Sequence, residues 1–134
     1  MKKFLDETIC LICAKGNSRG LEKKNIKKIN NKTLIEIAFR KAEKNKLKYF
    51  CLSTEAKKIR KIANSFGLKS FFTRNNNLTR QNISKLDVWR DALKKSEKFY
   101  NRSFKYILDI EVTNPLTTKK DLNEFIKFFF KKKE

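Results

Sequence analysis

The sequence contains no histidine, one proline and three glycines, and acidic residues are scarce relative to basic ones. Without histidine, the chain lacks the usual general base and the commonest metal ligand of proteins. Its 34 lysine and arginine residues against 14 acidic residues give a formal charge of +20. Such a charge is typical of proteins that bind nucleic acid or anionic membranes. Here the lysines are spread along every predicted helix, and no nucleic-acid-binding motif accompanies them. A nucleic-acid-binding domain is therefore the least favoured of the functions considered for this sequence.

Cysteine is also infrequent, with three residues in the chain. Cys10 and Cys13 form a C-x-x-C pattern, which can indicate a zinc or redox site. On a strand, residues three apart point to opposite faces, and the chain has no second ligand pair. We therefore expect small, buried core residues in a reducing cytoplasm.

No segment of the chain has the features of a membrane anchor. Asp6 and Glu7 interrupt the short apolar N-terminus, which therefore does not resemble a signal peptide. No apolar run approaches the length of a transmembrane helix. We expect a cytoplasmic protein that does not associate with a membrane.

The alternation of apolar patterns predicts an α/β fold in a single domain, residues 1–134. Strands are predicted at 9–14, 49–52, 68–73 and 104–112, and helices at about 33–46, 55–66, 84–100 and from 118 onward. The order βαβαβαβα favours right-handed crossovers and a mainly parallel sheet. The last helix is apolar on more than one face, and such a helix needs cover on several sides.

The segment on which the functional prediction depends is a basic loop after the first strand. Residues 9–14 are apolar without interruption, as expected of a strand buried on both faces. The loop that follows contains Gly16 and Gly20, whose small size lets backbone N–H groups approach a ligand. Its six cations, against the single acid Glu22, favour an anionic ligand; they are Lys15, Arg19, Lys23, Lys24, Lys27 and Lys28. The glycine spacing matches neither the dinucleotide-binding nor the P-loop motif, and a solvated loop without a ligand is the alternative.

The run I-C-A-K-G-N-S-R-G-L-E-K-K-N-I-K at residues 12–27 resembles the N-terminal signature of the acylneuraminate cytidylyltransferases, the CMP-sialic acid synthetase family. That family typically reads I-x-A-R-G-G-S-K-G-[IL]-x-x-K-N-I. Three later segments also resemble family motifs: Ser53–Glu55, the pair Arg74 and Leu78, and Y-I-L-D-I-E-V-T-N-P-L at 106–116. The sequence departs from the family at Lys15, Arg19, Gln81, Glu111 and Thr117.

The resemblance implies a Rossmann-like nucleotidyltransferase fold. Its mainly parallel sheet would have the strand order 3-2-1-4, with helices on both faces. The first and fourth strands would then be neighbours, and ligands of open α/β sheets bind beyond the carboxyl ends of strands at such a position. We therefore expect the loops 15–25 and 111–115 to converge.

The implied reaction joins CTP to a sialic-acid-like nonulosonic sugar acid, giving a CMP-sugar and pyrophosphate. The resemblance assigns catalytic roles to Lys24 and Lys15, and substrate contacts to Glu111 and Thr113. The expected nucleotide-binding residues are Ala14, Lys15, Gly16, Ser18, Arg19, Lys24, Asn25 and Arg74. Mg²⁺ is the implied cofactor, with its usual ligands outside this chain, and no residue here is assigned as a metal ligand.

The chain resembles only the N-terminal, nucleotide-binding portion of the family and is truncated relative to it. Family members continue with elements that carry metal-binding aspartates, much of the sugar-acid site and a dimerisation segment. We therefore expect a homodimer partner or the missing C-terminal half to complete the protein. A catalytically incomplete remnant that binds nucleotide without turning it over is the main rival hypothesis.

Overall fold

The centre of the fold is a strand whose side chains are buried on both faces. The computed structural model describes residues 2–16, 28–80, 82–112 and 118–133. Strand β1 (Thr8–Cys13) pairs in parallel with β4 (Tyr49–Ser53) on one side and with β5 (Tyr106–Ile110) on the other. Leu11 lies opposite Cys51 in β4 and opposite Asp109 in β5. The unbroken apolar run of β1 therefore forms the middle strand, as predicted.

Five helices and a short ribbon complete the described structure. The helices are α1 (Lys2–Asp6), α2 (Leu34–Lys44), α3 (Lys57–Ser65), α4 (Lys85–Tyr100) and α5 (Lys119–Lys133). Strands β2 (Lys28–Ile29) and β3 (Lys32–Thr33) form an antiparallel ribbon before α2, and a 3₁₀ turn covers Asn76–Thr79. Helix α1 and the ribbon were not predicted from the sequence.

Two predicted helix starts, at Thr33 and Ser84, are confirmed by their capping contacts, whereas the helix predicted from residue 55 begins at Lys57. The Thr33 hydroxyl accepts a hydrogen bond from the Glu36 amide at 3.1 Å, and the Ser84 hydroxyl accepts one from the Asp87 amide at 3.2 Å. These bonds satisfy N–H groups that the first turn of a helix leaves unpaired. Gly67 follows α3 with a φ of 96°, a left-handed conformation that glycine adopts at little cost.

Helices cover both faces of the sheet, as predicted. On one face, Cys10 and Ile12 pack with Ala38 of α2 and Ile126 of α5. On the other face, Ile9, Leu11 and Cys51 pack with Ala92 of α4. The central strand thus supplies alternate side chains to two separate cores.

The C-x-x-C pattern does not form a reactive pair. Cys10 lies in the core that includes α2, whereas Cys13 packs against the core that includes α4. All three cysteines are free thiols. Burial raises the pKa of Cys13 to about 11 and the pKa of Cys51 to about 12. The interpretation of these cysteines as core residues is confirmed.

The predicted third strand at 68–73 is wrong. Within the described ranges the main sheet has three strands in the order β4-β1-β5, which is the 2-1-4 part of the predicted order. Side chains hold the segment instead: the Ser70 amide donates to the Asn64 side chain at 3.1 Å, and Arg60 donates to the Ser70 hydroxyl at 2.8 Å. The Phe71 ring stacks on Phe99 with the centroids 4.1 Å apart. The bond to Asn64 takes the Ser70 amide away from strand pairing, and the side-chain contacts hold the segment in its irregular conformation.

Helix α5 is apolar on more than one face, as predicted. Leu122 and Ile126 are buried against the sheet, whereas Phe125 and Phe128 are 55% and 59% exposed. Among the described residues, no helix has the length and apolarity required to cross a membrane.

Candidate functional site

The carboxyl ends of the three parallel strands lie at one edge of the sheet. Ala14, Lys15 and Gly16 follow β1, Thr54 and Glu55 follow β4, and Glu111 follows β5. Because β1 pairs with β5 from Thr8 to Ile12, the two chain segments leave the sheet side by side. Open α/β sheets bind ligands at this edge.

The start of the basic loop is fixed to the end of β4. The Ala14 amide donates to the Ser53 carbonyl oxygen at 3.0 Å, and Ala14 is buried. Two residues later the Gly16 amide donates to Glu55 Oε1 at 2.5 Å. Glu55 therefore sets the direction in which the chain enters the loop. Lys15, between these two anchors, is half-buried.

Arg74 is buried beneath the same edge, with 2% of its surface exposed. Its Nε donates to the Ser53 hydroxyl at 2.8 Å and its Nη2 donates to the Ser53 carbonyl at 2.7 Å. The Arg74 amide also donates to the Thr54 carbonyl at 2.8 Å. These bonds stabilise the end of β4, and a buried arginine with such partners is costly to remove. The predicted contact of Arg74 with the nucleotide stays a prediction.

Glu111 belongs to a charged cluster at the end of β5. The Lys85 ammonium lies 2.7 Å from Asp109 Oδ2 and is also paired with Glu111 Oε1. Hydrogen bonds from Lys85 to Asp109, and secondly to Glu111, raise the pKa of the Lys85 ammonium above its usual value. The ammonium is therefore firmly protonated at neutral pH.

The described residues do not fit a magnesium site. Asp109 and Glu111 share one face of the chain, but the Lys85 ammonium lies between their carboxylates. Mg²⁺ needs open oxygen ligands in an octahedral arrangement. In the part of the chain that the structure describes, no three His, Cys, Asp or Glu side chains are grouped to hold a metal ion.

The structure brings together five of the predicted site residues at the carboxyl edge: Ala14, Lys15, Gly16, Arg74 and Glu111. The other predicted site residues lie outside the described residues; they are Ser18, Arg19, Lys24, Asn25 and Thr113.

Sequence reasoning gave no role to Lys85 and did not anticipate the role of Glu55. The S-T-E motif contained a signal for Glu55, because a carboxylate directly after a parallel strand can reach the neighbouring loop. Lys85 had no comparable signal, since it lies 26 residues from Glu111 and precedes it by a whole helix.

Gly16→Ala should destabilise the protein, because a Cβ at this position would lie 2.7 Å from the Ala56 Cβ and 2.9 Å from Glu55 Oε1. The Ala56 Cβ is attached directly to the backbone and cannot rotate away. We expect the free energy of unfolding in urea to fall by about 1–3 kcal/mol. The double variant Gly16→Ala/Ala56→Gly should recover part of the loss. Unchanged stability in Gly16→Ala would show that the loop does not enter against Ala56.

Comparison with known proteins shows which family this chain resembles. A protein-family model described as cytidylyltransferase matches residues 9–134. The chain is 36% identical over 119 residues to post-translational flagellin modification protein B of Campylobacter coli, an alignment that covers 88% of this chain and 51% of that protein. It is also 36% identical over 110 residues to CMP-N,N'-diacetyllegionaminic acid synthase of Campylobacter jejuni, covering 81% of this chain and 47% of that protein. The chain thus spans about half the length of the curated relatives it matches.

Solved structures confirm the predicted fold. A CMP:2-keto-3-deoxy-manno-octonic acid synthetase complexed with CTP superposes with a TM-score of 0.70 at 18% identity, over 93% of this chain and 48% of that one. A cytidylyltransferase from Leptospira borgpetersenii gives a TM-score of 0.68 at 21% identity, over 92% of this chain and 49% of that one. The parallel sheet with helices on both faces is therefore the nucleotidyltransferase fold, over about half the length of those two chains. With a family model that covers residues 9–134, the chain belongs to the cytidylyltransferase family.

Proposed function

We propose that this chain binds CTP at the carboxyl edge of its sheet and forms the nucleotide-binding half of a CMP-sugar synthase. The observation that carries the proposal is where the chain enters the basic loop: residues 14–16 leave β1 beside the end of β5, in a chain whose family match extends over residues 9–134. A nonulosonic sugar acid is the proposed second substrate. In support, one relative is named as a synthase of CMP-N,N'-diacetyllegionaminic acid.

Charge supports a triphosphate as the ligand of this loop. Between residues 15 and 28 there are six cations and one acid, Glu22. At the start of the loop the Glu55 carboxylate holds the Gly16 amide, so contacts with phosphate fall to the cations and to amides further along the loop. Clustered cations and amides at the end of a buried strand stabilise phosphate oxygens.

The proposed reaction is an in-line displacement at the α-phosphorus of CTP. The anomeric hydroxyl of the sugar acid attacks that phosphorus, the bond to the β-phosphate oxygen breaks, and pyrophosphate leaves. Charge accumulates on the phosphate oxygens during such a displacement, so catalysis depends mostly on positioning and electrostatic stabilisation. Mg²⁺, when bound by carboxylates outside this chain, would supply further charge compensation.

The chain's own residues take distinct parts in this proposal. Lys15, Arg19 and Lys24 neutralise the triphosphate, with Lys24 and Lys15 nearest the reacting phosphate. Ser18, Asn25 and amides further along the loop orient the phosphate groups, because the amides of Ala14 and Gly16 already donate to Ser53 and Glu55. Arg74 stabilises the end of β4 through Ser53 and contacts the base. Glu111 and Thr113 face the ribose or the sugar acid.

A nucleotide-binding protein without transferase activity is the second candidate. It is favoured by the described residues at the end of β5, where the Lys85 ammonium pairs with both Asp109 and Glu111 and leaves neither carboxylate open to Mg²⁺. Both candidates share the nucleotide site and differ in turnover.

Lys24→Ala should lower the affinity for CTP about tenfold, because it removes one charge-assisted contact with the triphosphate. Isothermal titration calorimetry measures the change directly. Lys3→Ala is the matched control: Lys3 is an exposed lysine of α1, at the opposite end of β1, and its loss should leave CTP affinity unchanged. Equal affinities for the wild type and Lys24→Ala would contradict the proposed site.

Pyrophosphate release separates the two candidates. With CTP, Mg²⁺ and N,N'-diacetyllegionaminic acid, a complete synthase releases pyrophosphate in proportion to the sugar acid consumed. A coupled phosphate assay detects this release. Binding of CTP without release would favour the binding protein, and absence of both would remove both candidates.

A further inference from the structure

Lys85 connects two carboxylates at the end of β5. It is the first residue of α4, directly after the capping residue Ser84. Its ammonium lies 2.7 Å from Asp109 Oδ2 and also pairs with Glu111. Asp109 is only 14% exposed, whereas Glu111 is 57% exposed. Asp109, the more buried carboxylate, therefore holds the ammonium, and Glu111 contacts it from the solvent side.

The two carboxylates share one cation, the Lys85 ammonium. Asp109 and Glu111 are two residues apart and lie on the same face of the chain, so their negative charges repel each other. Carboxylates close enough to share one site can hold a divalent cation or share a proton. Here a lysine of the same chain supplies the positive charge.

The position of this cluster connects it to the nucleotide edge. Asp109 lies opposite Leu11 in the register of β1 and β5, two residues before β1 ends at Cys13. The cluster therefore lies close to the point where the chain leaves β1 for the basic loop. With Lys85 present, the cluster carries a net charge of about −1 by formal count; without it, the charge would be about −2.

We propose that Lys85 is a positioning residue of the nucleotide site: its ammonium takes the place of a divalent cation between Asp109 and Glu111 and limits their repulsion of the incoming triphosphate. This inference rests on the proposed function, because it assumes that the triphosphate binds at the carboxyl edge. Lys85 contacts the carboxylates and not the reacting atoms, so it acts through the charge and position of its partners.

The alternative is an ordinary surface ion pair. Lys85 is 52% exposed, and exposed pairs contribute about 0–1 kcal/mol to stability. Substitution of Lys85 therefore leaves the fold intact, which makes the two interpretations separable in the folded protein. Methionine is the suitable replacement, because it keeps an unbranched stem near the Trp89 ring, whose centroid lies 5.7 Å from the Lys85 ammonium.

The test compares Lys85→Met with Lys95→Met in the full chain. Lys95 lies on the same helix and pairs with Asp91 at 2.8 Å, so its replacement removes the same charge from α4 without affecting the carboxylate pair. Mn²⁺ binding is measured by electron paramagnetic resonance in the absence of nucleotide. CTP affinity is measured separately by calorimetry in metal-free buffer, so that a newly bound metal cannot compensate for the lost lysine.

Lys85→Met should bind Mn²⁺ at least about tenfold more tightly than the wild type and the Lys95→Met control, because two carboxylates become available to the ion. Its CTP affinity should fall about fivefold, since the uncompensated carboxylates repel the triphosphate. Lys85→Arg keeps the cation and should restore both values.

The inference is overturned if either the Mn²⁺ binding or the CTP affinity of Lys85→Met is unchanged. Equal Mn²⁺ binding in Lys85→Met and the wild type would show that the carboxylates do not form a cation site. CTP affinity equal to that of Lys95→Met would show that Lys85 is a surface ion pair only. If the wild type itself does not bind CTP, the proposed function fails, and the Mn²⁺ measurement alone then decides whether Lys85 occupies a cation position.

Discussion

Parallel pairing of β1 with both of its neighbours is the constraint on which the candidate site depends. Because β4 and β5 run in the same direction as β1, the segments that follow the three strands all leave the same edge of the sheet. This pairing is stabilised from both faces, since Ile9 and Leu11 enter one core while Cys10 and Ile12 enter the other. A register shift of one residue would exchange these side chains between the cores and is therefore strongly disfavoured.

A small set of polar contacts converts this common edge into a defined surface. The Ser53 carbonyl accepts from both the Ala14 amide and Arg74, so the ends of β1 and β4 are held by one acceptor. Glu55 then fixes Gly16 at the entrance to the basic loop. On the other side, Lys85 pairs with the two carboxylates at the end of β5, Asp109 and Glu111. The sheet positions this edge. The charges of Arg74, Glu55 and Lys85, each paired with a neighbouring group, shape the electrostatic field that a ligand meets there.

Much of this architecture could be predicted from local sequence. The uninterrupted apolar residues 9–14 identified the central strand, and Thr33 and Ser84 identified two helix starts within one residue. Contacts between distant residues could not be predicted in the same way. The segment 68–73 has the composition of a strand, yet Asn64 and Arg60 take its polar groups. The bonds of Arg74 to Ser53 and of Lys85 to Asp109 depend on how helices cross the sheet, which no local pattern encodes.

The most direct test of the site is an amide-resolved NMR titration of the full chain with CTP. Binding at the carboxyl edge should give its largest shifts at the amides of Lys15, Gly16 and Glu111, which follow two adjacent strands. Lys48 and Lys105, which precede β4 and β5 at the amino edge, should change little. Saturable shifts confined to Lys48, Lys105 and their neighbours, with none at residues 15, 16 and 111, would contradict a nucleotide site between β1 and β5.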